Sequence, residues 1–256
     1  MKRYNSFVCL AAAATAVSAS PAMAQDDESW TGLYAGVHVG LSEVQSESDV
    51  TLGGAWSTET QGLRDFIVAN AGADQKEDNV NLGLQLGYNY QTGPVVFGAE
   101  IEFSSFEKNH IETRGPLKQT ANAATSYTFS NTVKPESLAS AKAKLGLTTG
   151  STLFYLTGGW AMAEMKFGAG ITSSANYLKQ GSLKKDTDGF TVGGGIEQRL
   201  TRNISARLSY DYTDQGSVNY TTAYRPGSAF TTPAYSETVN QDLKLHFIRL
   251  GVNYTF

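Results

Sequence analysis

Cysteine is almost missing from this chain: of 256 residues the single one is Cys9, close to the amino terminus. A lone thiol cannot close an internal disulfide, and no thiolate cluster is available for metal or redox chemistry. Histidine is nearly as scarce, with only His38, His110 and His246. There is no H-E-x-x-H, no histidine pair at ligand spacing and no acidic calcium loop, so no metal site or bound cofactor is expected. Basic charge is also in deficit, 20 Lys and Arg against 24 Asp and Glu, which excludes nucleic-acid binding by charge. Downstream of the first twenty-odd residues no apolar run approaches the about 20 residues that a membrane-crossing helix needs.

The amino terminus has its own grammar. Lys2 and Arg3 precede an apolar run from Phe7 to Ala19, then Pro21 and the triplet Ala22, Met23, Ala24. A charged head, a short apolar core and an A-x-A site predict a secretory signal peptide, residues 1–24, cleaved after Ala24. Residues 25–30 then form a short acidic linker on the periplasmic side, and 31–256 form one domain. The exported chain has 18 basic residues against 24 acidic ones and no cysteine.

Glycine (26), tyrosine (13) and phenylalanine (12) are plentiful, which suits many strands and turns. The final stretch, Leu243 to Phe256, shows the pattern most plainly. Ile248, Leu250, Val252, Tyr254 and Phe256 share one face, while Phe247, Arg249, Gly251, Asn253 and Thr255 share the other. Lipid on one side and a polar lumen on the other would select this alternation. Similar runs occupy Thr31–Leu41, Asn79–Gln91, Val95–Glu107, Ala139–Thr148, Leu153–Phe167, Gly189–Leu200 and Ile204–Thr213. Pro94, Pro116, Pro135, Pro226 and Pro233 fall between the runs or at their edges, where a missing donor costs no ladder bond.

Four long polar connections, Ser42–Asp78, Lys108–Lys134, Gly168–Asp188 and Asp214–Asp242, alternate with three short turns. Leu63, Phe66 and Ile67 in the first have helical spacing. The reading is all-β: an eight-stranded antiparallel up-and-down transmembrane β-barrel with long extracellular loops and short periplasmic turns. Closure is required because an open edge in lipid strands backbone donors and acceptors. The outer membrane of a Gram-negative cell is the expected location, with outer-membrane lipid and lipopolysaccharide as surroundings.

Two aromatic girdles are expected, Tyr88, Tyr90, Tyr155, Tyr254 and Phe256 at the periplasmic interface and Phe103, Phe167, Tyr210 and Tyr212 at the outer one. Apolar residues occur at both parities of Leu153–Phe167. The boundary position of Tyr155 favours Leu153, Tyr155, Ala161 and Met165 as the lipid face. Inward-facing charges are Glu100, Glu102, Lys142, Lys144, Glu197, Arg199, Arg207, Asp211 and Arg249, an expected lumen network. They could pair into a plug or flank a narrow conducting path, since eight strands leave a bore that side chains just fill. Haem would need a histidine or tyrosine ligand. No serine and histidine lie close in sequence for nucleophilic catalysis, so an enzyme is not expected, although such a pair could meet in space. Gly193–Gly195 lies inside a run and is no phosphate loop.

Five segments taken together, WTGLYAGVHVG (Trp30–Gly40), GLQLGYNYQTGPVVFGAEIEF (Gly83–Phe103), KAKLGLTTGSTLFYLTGGWA (Lys142–Ala161), GFTVGGGIEQRLTRNISARLSYDYTDQGS (Gly189–Ser217) and HFIRLGVNYTF (His246–Phe256), carry a resemblance. The chain is similar to the alphaproteobacterial small outer-membrane immunogenic proteins, a family often labelled porin family. The resemblance implies a structural envelope component and surface antigen, with loops for contact with host, cell or immune molecules. Small-solute porin activity or haem binding is what it implies as the alternative. The closing residues Leu250, Val252, Tyr254 and Phe256 resemble the carboxyl-terminal signal read by the outer-membrane barrel assembly machinery. The long loops do not share in the resemblance.

Overall fold

The computed structural model describes residues 29–72, 74–107, 111–119 and 122–256. The expected leader, linker residues 25–28, Lys108 and His110 lie outside the described residues. Ten strands follow in order: β1 (Gly32–Gly54), β2 (Gln75–Thr92), β3 (Val95–Phe106), β4 (Ile111–Gln119), β5 (Asn122–Thr149), β6 (Thr152–Ser173), β7 (Leu178–Arg199), β8 (Ile204–Thr221), β9 (Ala223–Tyr224) and β10 (Tyr235–Thr255). All pairings are antiparallel, and β1 pairs with β10 from Tyr34↔Thr255 to Gly54↔Tyr235. With β3 paired to β5, a ring closes through β1, β2, β3, β5, β6, β7, β8 and β10, while β4 adds to β5 and β9 to β7. This is the eight-stranded barrel that the alternation predicts.

The strands run well past the ends of the alternating runs. β1 continues through the polar excursion to Gly54, and the excursion Gly168–Asp188 is strand except for a short turn between β6 and β7. Polarity misleads there because these extensions turn hydrated side chains outward and space their inward apolar residues sparsely. On β1 the outward Glu43, Glu47 and Asp49 alternate with inward Val44, Ser46, Ser48 and Val50.

The two halves of the barrel therefore have opposite polarity. From Leu33 to Leu41 the exposed face of β1 is apolar and the buried face carries Tyr34 and His38. The apolar outer belt formed with Leu82, Leu84, Leu86, Ile101, Leu208 and Leu250 is the surface that hydrocarbon covers, a band about 25 Å tall in such barrels. Beyond it the outside is polar and the inside apolar: Val44, Phe106, Phe129, Val133, Met165, Phe167, Leu243, Leu245 and Phe247 form one buried cluster. Each such side chain contributes about 1.5–3 kcal/mol when fully buried. This far half is built like a water-soluble barrel.

The helix expected around Leu63, Phe66 and Ile67 is α1 (Gln61–Ala71), and its start is capped by Thr60, whose Oγ1 accepts from the Leu63 amide at 3.3 Å. Ile67 and Ala71 are buried against the apolar cluster, and the Phe66 ring lies 5.8 Å from Tyr127 and 6.2 Å from Phe129. Contacts with β1, β4 and β5 place α1 against one side of the far end, where β2 and β3 have stopped.

On β6 the expected facing is reversed. Phe154, Leu156, Trp160 and Met162 are exposed on the belt, whereas Leu153, Tyr155, Ala161 and Met165 are buried inside. Register is the cause: Lys144 pairs with Thr157 and Lys142 with Gly159, and directly paired residues share a face, so inward lysines turn the odd-numbered residues of β6 inward. Tyr155 and Phe167 consequently leave the girdles. Tyr88, Tyr90, Tyr254 and Phe256 remain exposed at the turn end, with Phe103 and Tyr210 at the other boundary beside Trp160 and Phe190.

Pro135 sits inside β5, where Glu136 is the extra residue of a bulge. That point separates the stretch of β5 paired with β3 from the stretch paired with β4. The absent N–H removes no bond from either ladder.

Candidate functional site

Within the belt the bore is filled by eight charged side chains, each between 2% and 6% exposed: Glu100, Glu102, Glu197, Asp211, Lys142, Lys144, Arg207 and Arg249. The set is formally neutral. β3 and β8 lie on opposite sides of the ring, and Arg207 on β8 reaches across to Glu100 on β3 with Nη1–Oε2 at 2.5 Å and Nη2–Oε1 at 3.0 Å. Two parallel bonds from one guanidinium to one carboxylate fix both partners in direction as well as distance.

The other pairs knit around this strut. Lys144 Nζ stands 3.3 Å from Glu100, and the Tyr34 hydroxyl donates to the same carboxylate at 2.6 Å. Lys142 bridges Glu102, Glu100 at 3.5 Å and Asp211 at 3.3 Å. Arg249 on β10 joins Asp211 at 2.7 Å and Glu102 at 3.3 Å. Arg207 and Glu197 are register partners, yet the carboxylate takes its hydrogen bonds from Ser205 and from Asn253, the latter at 2.8 Å. Pairing is thus of both kinds: Lys142 and Lys144 meet Glu100 and Glu102 on the neighbouring strand β3, and Arg249 meets Asp211 on neighbouring β8, while Arg207–Glu100, Lys142–Asp211 and Arg249–Glu102 cross the bore.

Arg199 stands apart from this cluster. At the turn end its guanidinium lies 4.4 Å from the ring centre of Trp30 and donates to the Ser29 carbonyl at 3.1 Å. The Trp30 indole N–H donates to Thr148 Oγ1 at 2.9 Å, and its ring packs with Val96, Leu153 and Tyr155 as a small apolar seal. Tyr155 also faces the network, with the Lys144 ammonium 4.9 Å and the Arg207 guanidinium 5.2 Å from its ring. The periodicity of β6 did not reveal Tyr155 as a lumen residue. The tight β5–β6 turn, which pairs Thr149 with Thr152 and so Lys144 with Thr157, carries that information in the sequence.

The structure brings together one serine and histidine that are remote in sequence. His38 Nε2 is 3.0 Å from Ser104 Oγ, and its Nδ1 is 2.6 Å from Gln85 Oε1 and 3.6 Å from Glu102. All four residues are buried, and the space beside them is too small for a water molecule. A nucleophile there has no room for a substrate. His246 lies on the outer wall, its Nδ1 2.8 Å from the Tyr210 hydroxyl. Both described histidines are engaged, far from each other, and make no haem-ligand pair.

A second buried charge cluster, invisible to the strand pattern because its members come from the polar excursions, lies under the far end. Glu237 on β10 is fully buried and accepts from Trp56 Nε1 at 2.7 Å, from the Tyr177 hydroxyl at 2.5 Å and from Thr222 Oγ1. Lys179 completes it, 2.9 Å from Glu237, 2.5 Å from the Tyr235 carbonyl and 4.5 Å from the Tyr224 ring centre. Burial and then the bond to Glu237 hold the Tyr177 phenol well above its ordinary range, and the Glu59 carboxylate that accepts from Tyr235 pushes that phenol up to about 12. One carboxylate thus ties together the turn after β1, the β6–β7 turn, β7, the segment after β8 and β10.

Of the closing residues, Leu250, Val252, Tyr254 and Phe256 are all exposed on the belt, with the Tyr254 and Phe256 rings edge to face at 5.2 Å. The Phe256 amide donates to the Leu33 carbonyl at 3.0 Å, which binds the last residue to the first strand.

The family of outer membrane protein beta-barrel domains matches residues 10–256. The 31 kDa outer-membrane immunogenic protein of Brucella melitensis is 27% identical over 243 residues, covering 93% of this chain and 89% of that protein. The 22 kDa outer membrane protein of Rhizobium leguminosarum bv. viciae is 25% identical over 175 residues, 68% of this chain and 71% of its own. Among solved structures, Neisserial surface protein A aligns with 86% of this chain and 97% of that one, at 10% identity and a TM-score of 0.37.

Proposed function

Because the chain belongs to the outer membrane protein beta-barrel family and is a protein of the bacterial outer membrane, we propose that it is a non-conducting, non-enzymatic envelope protein that displays a rigid head to the outside. The exposed face of that head serves contacts with host, neighbouring cells or immune molecules. The observation that carries this reading is the blocked bore: the Arg207–Glu100 strut spans it within the belt, Trp30 packs at the turn end and the buried apolar cluster fills the far half. Relatives named as immunogenic support the surface role. Binding groups are more often carried by segments outside the conserved scaffold. Those segments here are held as sheet.

Purified protein in planar bilayers should show no steady conductance above leak. Steady channels whose size changes with Lys142→Met or Arg207→Met would overturn the proposal and make the chain a small-solute porin.

The closing residues make a separate prediction. Exposure of Phe256 on the belt, 71%, leaves its ring free for recognition by the assembly machinery before burial in lipid. Deleting Phe256 should cut the outer-membrane yield of heat-modifiable barrel several-fold while the leader is still cleaved. An unchanged yield would show that the residue plays no part in assembly.

A further inference from the structure

The outer wall of the belt is not evenly convex. Near its turn end a groove of about 590 Å³ is set into it, surrounded by Val95 on β3, Leu145 and Leu147 on β5, and Phe154 and Leu156 on β6. The last four side chains are between 48% and 69% exposed, so the groove opens to the hydrocarbon side and not to the bore. Its floor is bare backbone. Gly146 pairs with Tyr155 and Tyr155 with Gly195, and this row turns inward, with the Tyr155 ring buried in the lumen.

One glycine accounts for the depth. On the outer face Leu156 has Leu145 as its partner on β5 and Gly194 as its partner on β7. A Cβ at Gly194 would lie 3.0 Å from Leu156 Cδ2, so Leu156 leans towards β7 into space that any other residue there would fill. The lean draws its side chain away from β5 and leaves the wall between Leu145 and Leu156 uncovered. The groove also has a defined height. Val95 opens β3, and Leu147 and Phe154 stand two residues inside the ends of β5 and β6, which puts the groove beside the short turns, in the periplasmic leaflet.

From this geometry we infer that the groove is a lipid site, which holds one acyl chain of a zwitterionic phospholipid of the periplasmic leaflet. Clefts that retain a ligand measure about 300–1,000 Å³ and are mainly apolar, and this one meets both conditions. The belt around it is covered by hydrocarbon, so continuity with that surface selects an acyl chain as the occupant. In lipid, burial of apolar surface gives no driving force, and retention depends on packing. A chain in the groove touches protein below and on both sides; a chain on the convex wall touches it on one side only. The rim chooses the headgroup. Gly93, Pro94, Gly150 and Ser151 in the two adjoining turns carry no charge, while Thr92 and Thr149 offer exposed hydroxyls, a setting for a phosphate already balanced by its own ammonium.

The test places the full exported chain in nanodiscs of equal parts phosphatidylethanolamine and phosphatidylglycerol, releases it into mild detergent and weighs it by native mass spectrometry. Folding of every variant is checked by heat modifiability. The parent should keep one phosphatidylethanolamine per barrel. Leu147→Trp, and separately Leu145→Trp, should cut that retention about tenfold, the effect of forcing extra atoms into a site that is already filled. Leu84→Trp, the same exchange on the outer face of β2 away from the groove, should leave it unaltered. A parent that carries no lipid, equal loss in all three variants, preference for phosphatidylglycerol, or a barrel dimer in place of the lipid adduct would each overturn the inference. Conductance plays no part in this readout, so it stands or falls apart from the proposal of a blocked bore.

Discussion

Glu100→Gln should destabilise the folded barrel by about 3–5 kcal/mol, the usual loss when one member of a buried ion pair is removed and the other is left without its counter-charge. Glu100 is the acceptor for the guanidinium of Arg207, the ammonium of Lys144 and the hydroxyl of Tyr34, so neutralising it leaves two buried cations short of a partner. Arg207→Met alone should cost a similar amount. The double change Glu100→Gln with Arg207→Met should cost clearly less than the sum, because the second substitution removes the charge that the first has stranded. Urea unfolding followed by the heat-modifiable gel shift gives all three values. Strict additivity, or no loss in either single variant, would mean that these side chains are hydrated and the bore is open to ions.

Glu237→Ala should be nearly as costly, about 3–5 kcal/mol, but the damage should stay at the far end. It strands the Lys179 ammonium, only 2% exposed, and at the same time leaves Trp56 Nε1 and the hydroxyls of Tyr177 and Thr222 without their acceptor. Local opening follows where the lost contacts are. Hydrogen exchange should therefore accelerate in α1, in the β6–β7 turn and at the start of β10, while β2 and β3 within the belt keep their protection. Exchange that rises evenly along every strand, or not at all, would show that Glu237 does not hold the head together.

The part of the molecule that faces lipid was legible residue by residue. Leu82, Leu84 and Leu86 on β2, or Leu250, Val252 and Tyr254 on β10, alternate with polar partners because hydrocarbon and a charged bore make opposite demands on adjacent positions. β6 misleads because its inward side is apolar too, at Leu153 against Trp30 and at Met165 and Phe167 in the head. Only the lysines across the β5–β6 turn distinguish the two faces. The strand extensions were illegible for a related reason: where water replaces lipid outside, the contrast between faces inverts and weakens, and a stretch such as Val44 to Val50 has the composition of a loop. The lumen charges could be named from parity, and adjacency of the strands put Lys142 and Lys144 opposite Glu100 and Glu102, where they pair; the contacts across the bore could not be read. For Glu197 and Arg207, register partners on β7 and β8, adjacency misleads, because the closed ring sets β8 opposite β3 and takes Arg207 to Glu100.

The reversal of polarity along the strands fixes what an approaching molecule can read. From Glu43 to Gly54 the first strand rises beyond the belt by twelve residues, roughly 30 Å at about 3.3 Å per residue and a tilt near 40°. Over that height the outer wall offers every second side chain of a strand, set beside side chains from strands far off in the sequence, as Lys134, Lys166 and Lys184 are. A conformational epitope on this wall shares no more than alternate residues with any one linear peptide cut from it. Binders selected on such peptides and binders selected on the folded barrel should accordingly form two populations with little cross-recognition.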